Sequence, residues 1–143
     1  MATLAHHRTD GFGSRDPARA AAVLDRAIAS ASSHLPARRG VMRRLLGPRA
    51  SAAALVRRYR LRAAMDAAYE RIVRELGAVR VEISAEPGAG EPYVAMDCAT
   101  ASADVDRVIE IERAVQSRVH AELGDRRWLR LLVSINPAGP DAR

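Results

Sequence analysis

Three short stretches of the chain alternate between apolar and polar side chains, and a longer one repeats at helical spacing. Val79, Val81 and Ile83 alternate with Arg80, Glu82 and Ser84. That period of two predicts a strand over 79–85 with one buried and one wet face. Turn formers crowd the next seven positions, Glu86 to Pro92, because glycine supplies positive φ and proline fixes its own. Alternation resumes over 92–98, with Val94, Met96 and Cys98 on one side and Tyr93, Ala95 and Asp97 on the other, so the two runs read as a hairpin. From 103 to 123, Val105, Val108, Ile109, Ile111, Val115, Val119 and Leu123 form one helical stripe. Ser102 is the expected N-cap, Asp104 and Asp106 suit the first turn, and Gly124 is the stop. The run 128–135 alternates again, with Leu129, Leu131, Val133 and Ile135 on one face and Trp128, Arg130, Leu132 and Ser134 on the other.

Upstream the pattern is helical. A long helix is predicted from about 50 to 76, its second half carrying Leu61, Met65, Ala68, Tyr69, Ile72 and Leu76 on one face before Gly77. Asp16-Pro17 is a good helix start, and Val23, Leu24, Ala27, Ile28 and Ala31 share a side before Pro36 ends the run. The expected fold is therefore α+β: an αββαβ two-layer sandwich over 49–137, with a three-stranded sheet and helices on one face. A helical, arginine-rich segment (16–48) precedes it, and residues 1–15 and 138–143 are expected to be tails. This order resembles ferredoxin-like layouts. It is similar in topology to the cytoplasmic domains of cation-diffusion transporters and to the ring-building domains of secretion systems. The histidine ligands typical of the transporter domains are absent, and a shared layout carries no function by itself.

Composition narrows the class. A chain of 143 residues holds one ordinary domain plus tails. Its single cysteine allows no internal disulfide, which suits a reducing compartment, and no apolar run is long enough for a membrane span. The N-terminus lacks a basic start followed by an apolar core, so no secretory signal is read and the cytoplasm is the expected location. All 23 basic residues are arginine. They are unevenly spread: residues 1–65 hold 13 basic and 3 acidic side chains, net +10, whereas residues 66–143 hold 10 and 14, net −4. Two halves of opposite sign are the strongest functional hint in the sequence.

Four sets of residues stand out. Arg57, Arg58, Arg60 and Arg62, with Tyr59 interleaved and Arg43 and Arg44 upstream, can meet the phosphates of a nucleic acid or the carboxylates of an acidic protein. Arg80, Tyr93, Trp128, Arg130 and Leu132 are expected on the outer sheet face, where aromatics can stack bases or a second copy can dock. Covering by the chain's own 17–35 helix is the other reading of that face. Glu112, with Gln116 one turn on, falls inside the apolar arc of its helix. It is expected to serve structure, paired with an arginine or placed at a subunit seam, because no second catalytic group is spaced to work with it. Cys98 reads as a small buried hydrophobe. His6-His7 reads as part of a solvated tail, and His34 and His120 have no partner at ligand spacing. No phosphate loop, metal-ligand set, cofactor motif or small-molecule site is recognisable.

The expectation is thus a non-catalytic interaction or assembly module, self-associating or part of a protein complex, whose arginine-rich segment engages an acidic partner. RNA or DNA binding by the same arginines and the sheet-face aromatics is the alternative.

Overall fold

The structure is a computed structural model, and it describes residues 17–35, 51–77 and 79–138. The tail over 1–15 with His6 and His7, the Asp16 cap, Arg43, Arg44 and residues 139–143 lie outside the described residues.

The elements run α1 (Pro17–Ala29), β1 (Ser32–Ser33), α2 (Ala52–Tyr59), α3 (Arg62–Leu76), β2 (Val79–Glu86), β3 (Tyr93–Thr100), α4 (Val105–Leu123), a single 3-10 turn (Trp128–Arg130) and β4 (Leu131–Asn136). The fold is mixed α+β, with a four-stranded sheet in the order β1-β2-β3-β4. The central pair is the antiparallel hairpin, with Glu82 opposite Asp97 and Ser84 opposite Ala95. Each outer strand is parallel to its neighbour, β4 on β3 and β1 on β2. The two parallel pairs are therefore hydrogen-bonded neighbours. A ferredoxin-like layout splits each such pair with another strand, so the expected likeness is only a rough one.

The fourth strand is the first departure from the sequence reading. The helical run predicted to Leu35 stops at Ala29, and Ser32 and Ser33 pair with Ser84 and Ala85 instead. The His34 amide continues the contact by donating to the Ala85 carbonyl at 2.9 Å.

The second departure is a break in the predicted 50–76 helix. Ser51 caps α2 through its hydroxyl, and the helix closes at Arg60, which takes a left-handed conformation (φ 54°, ψ 52°). A left-handed non-glycine residue costs roughly 1–2 kcal/mol. Reversal there lets Leu61 turn inward to full burial, a side chain whose removal from water is favourable by about 1.5–3 kcal/mol. The burial outweighs the strain. The Arg127 guanidinium reinforces the break from outside, donating through Nη1 to the Tyr59 and Arg60 carbonyls at 3.1 and 3.5 Å.

The remaining boundaries follow ordinary capping. Asp104 caps α4 by accepting the Arg107 amide at 3.1 Å, while the expected cap, Ser102, accepts the Asp104 amide one step earlier at 3.2 Å. Gly77 and Gly124, at φ 81° and 79°, end α3 and α4 as their positions in the sequence suggest.

All four described helices and the inward strand positions share one core, in which Leu24, Leu55, Leu61, Met65, Tyr69, Ile72, Met96, Ile111 and Leu131 are fully buried. The helix α1 belongs to that core through Ala20, Leu24 and Ala27, so it packs in the helical layer and does not cover the outer sheet face. Arg62 ties it there, holding Asp25 at 2.6 Å, Asp66 at 2.9 Å and the Ala21 carbonyl at 3.0 Å.

Candidate functional site

Two surfaces gather the residues singled out in the sequence, and they lie on different layers. The first is the corner where α2 breaks. Its last turn carries Arg57 and Arg58, both exposed, and Arg60 is exposed at the cap. None of the three forms an ion pair with a described carboxylate. Tyr59 is half-buried between two cations, with the Arg58 and Arg130 guanidinium carbons 5.4 and 5.5 Å from its ring centre. Arg130 is itself anchored by the Glu91 carboxylate and by the Glu91 carbonyl at 3.3 Å. The run is thus divided by role. Arg57, Arg58 and Arg60 face outward, whereas Arg62 is committed to Asp25 and Asp66. Burial pulls the Arg62 pKa down, but those two carboxylates outweigh it and hold the guanidinium above its ordinary value.

The second surface is the outer sheet face. Arg80, Glu82, Ser84 and Glu86 of β2, Tyr93, Ala95, Asp97 and Ala99 of β3, and Leu132, Ser134 and Asn136 of β4 share it by strand alternation and register. Arg80, Tyr93 and Leu132 are where the periodicity predicts them, and Leu132 is 45% exposed. Trp128 and Arg130 are not on this face. The alternation before β4 belongs to a 3-10 turn, in which Leu129 is 58% exposed and Trp128 stacks on His120 with ring centroids 4.5 Å apart. The capping bond from Arg130 to the Arg127 carbonyl at 2.8 Å and that from Trp128 to Gly124 at 3.0 Å hold the turn.

Carboxylates dominate the centre of this face. Glu82 and Asp97 are directly opposed across the hairpin, an arrangement of like charges that destabilises a sheet. Burial, then the charges of Glu82 and Glu86, push the Asp97 carboxyl above its ordinary range. Glu86 moves the other way: the Ser84 hydroxyl donates to it at 2.6 Å and His34 meets it at 2.6 Å, which together outweigh burial and lower its pKa. A cleft of about 360 Å³ runs beside these groups, lined by Ser30, His34, Glu82, Ser84, Glu86 and Asp97 among others.

Glu112 and Gln116 have a different task. The Gln116 carboxamide accepts the Val133 amide at 3.1 Å and donates to the Leu131 carbonyl at 3.5 Å, much as a neighbouring strand would. The Glu112 carboxylate accepts the Ile135 amide at 2.7 Å. Helix α4 thereby closes the free edge of β4. The partner of Glu112 is a backbone amide and not an arginine of the long helix.

Cys98 is fully buried, and burial, then Asp97, push its thiol pKa up to about 12, so it stays protonated at neutral pH. Among the described residues no group of three or more His, Cys, Asp or Glu is placed to hold a metal ion, and no helix is long and apolar enough to cross a membrane. Neither a family model, nor a curated protein, nor a solved structure matches the chain.

The role of Arg127 is invisible in the sequence, because it acts from a turn whose position only the tertiary fold sets. The acidic face was accessible in principle. Glu82 and Asp97 both fall on the wet side of their strands, and pairing the hairpin in register puts them together.

Proposed function

We propose that this chain is a non-catalytic protein-interaction module that self-associates through the outer face of its sheet and engages an acidic partner with Arg57, Arg58 and Arg60. The open sheet face carries this reading. It is left uncovered by the described helices, it presents Leu132 beside the small Ala95, and its Glu82 and Asp97 form no ion pair with a described cation. The closed β4 edge favours association by the face over addition of a strand at that end. A buried, protonated cysteine suits work in the cytoplasm, where we place it.

Nucleic-acid binding is the second reading, favoured by the cluster of three outward arginines at one corner. Against it, Trp128 is already stacked on His120 and the Tyr59 ring already carries two guanidinium groups, so neither is a free platform for bases. The two readings part in a salt series with labelled generic RNA and DNA. Protein association leaves both nucleic acids unbound near physiological salt. Micromolar binding with a steep salt slope, lost in the triple alanine variant of Arg57, Arg58 and Arg60, would reverse the order.

A further inference from the structure

We propose that the acidic partner is a second copy of this chain, with Arg57, Arg58 and Arg60 of one copy docking on Glu82, Asp97 and Glu86 of the next. The inference rests on the self-association reading above and names the two patches that meet. Three observations carry it. First, the arginines project from the end of α2, in the helical layer, whereas the carboxylates lie on the opposite face of the sheet. Among the described residues neither Arg57, Arg58 and Arg60 nor Glu82 and Asp97 have an ion-pair partner, while Glu86 has His34. Second, the carboxylate set wants a cation. Glu82 and Asp97 face each other across the strands, about 4.5–5.5 Å apart at Cβ for such a pair. A planar guanidinium can bridge two carboxylates at that spacing, better than an ammonium could. Among the described residues that line the cleft, His34 is the one basic side chain and is engaged with Glu86, and Arg80 lies further along β2 opposite Ala99. Third, the cleft beside the carboxylates has room, at about 360 Å³, for inserted arginine side chains, and its polar rim of Ser30, Ser32 and Ser84 offers acceptors for the remaining N–H groups. The raised pKa of Asp97 is consistent with an uncompensated carboxylate there.

The contact joins unlike patches, so it can be tested by exchanging their charges. One variant carries Arg57→Glu and Arg58→Glu; the other carries Glu82→Arg and Asp97→Arg. Each is checked for folding by circular dichroism, and Arg57→Gln/Arg58→Gln and Glu82→Gln/Asp97→Asn stand in if a reversal does not fold. In sedimentation velocity, wild-type association is expected to weaken with added salt. Each reversal alone is expected to weaken it by about tenfold or more, as loss of close interfacial charge pairs does. An equimolar mixture of the two reversed variants is expected to associate again, because each then offers what the other lacks; the neutral variants are expected to lose association without recovery on mixing. A folded variant of either patch that associates like wild type overturns this pairing and leaves self-association standing. A mixture of folded reversed variants that stays apart overturns it too. A wild type that is monomeric throughout ends the self-association reading itself.

Discussion

Single residues show where this fold carries unrelieved cost. The Tyr69 hydroxyl is fully buried and meets no hydrogen-bond partner among the described residues. A buried unsatisfied polar group costs about 1–3 kcal/mol. Tyr69→Phe is therefore expected to raise stability by about 1 kcal/mol in urea denaturation, and a loss of similar size would mean that the hydroxyl has a partner. Asp97 offers a second case, with a sign that depends on pH. Its pKa is raised by burial and by Glu82 and Glu86, so the folded state holds the proton more tightly than the unfolded chain does. The stability this confers is present in acid, below the unfolded pKa, and is lost as pH rises through the folded pKa. Asp97→Asn is thus expected to stabilise at neutral pH by about 0.2–1 kcal/mol, the size of a cross-strand like-charge term. That gain should vanish in acid, where the wild-type carboxyl is protonated in both states. Thermal melts across the acidic range measure it, and a gain independent of pH would contradict the assignment. Glu86 runs opposite: held ionised by Ser84 and His34, it contributes stability above its unfolded pKa that is lost as pH falls through its folded one.

At the scale of elements, what was legible in the sequence is what local periodicity controls. The hairpin and α4 were readable because Val79 to Ser84, Tyr93 to Cys98 and Val108, Ile111, Val115, Val119 and Leu123 each keep one period, although Val105 and Ile109, expected on the same stripe, are 50% and 41% exposed. The β1 strand was not. Two serines carry no pattern, and their pairing with Ser84 and Ala85 is decided by chain far away in sequence. The α2–α3 break was hidden for a related reason: Arg60 is an unlikely left-handed residue, and only the burial of Leu61 and the donor groups of Arg127 make the reversal worthwhile. Among the candidate site residues, Arg80, Tyr93 and Leu132 followed from alternation. Trp128 and Arg130 did not, because a 3-10 turn mimics alternation over three residues. The unexpected β4 edge closure has a direct test. Gln116→Ala leaves the Val133 amide and Leu131 carbonyl without their side-chain partner, and is expected to cost about 1–3 kcal/mol in chemical denaturation. Glu112→Gln keeps an acceptor for the Ile135 amide and should cost less than Glu112→Ala. Equal losses from the two Glu112 variants would show that the bond is not what the carboxylate contributes.

For the whole molecule, the described residues separate exposed arginines at the α2 corner from carboxylates on the outer sheet face. Of the ion pairs within one copy, Arg62–Asp66 joins the two halves of the sequence, whereas Arg62–Asp25, Arg107–Glu75 and Arg130–Glu91 each pair charges within one half. Among the described residues, unpaired charge remains as Arg57, Arg58 and Arg60 at the α2 corner and as Glu82 and Asp97 on the outer sheet face. That leftover asymmetry, combined with an open face and a closed strand edge, is what makes assembly the reading of choice. The most direct measurement is sedimentation equilibrium of the wild type over a wide concentration range, in about 0.05 M and about 0.5 M salt, which bracket strong and weak screening. The apparent mass is expected to climb above the 15.5 kDa of one chain with concentration, more steeply in low salt, and to fall back in a Leu132→Asp variant. A mass of 15.5 kDa at every concentration and both salts would contradict self-association.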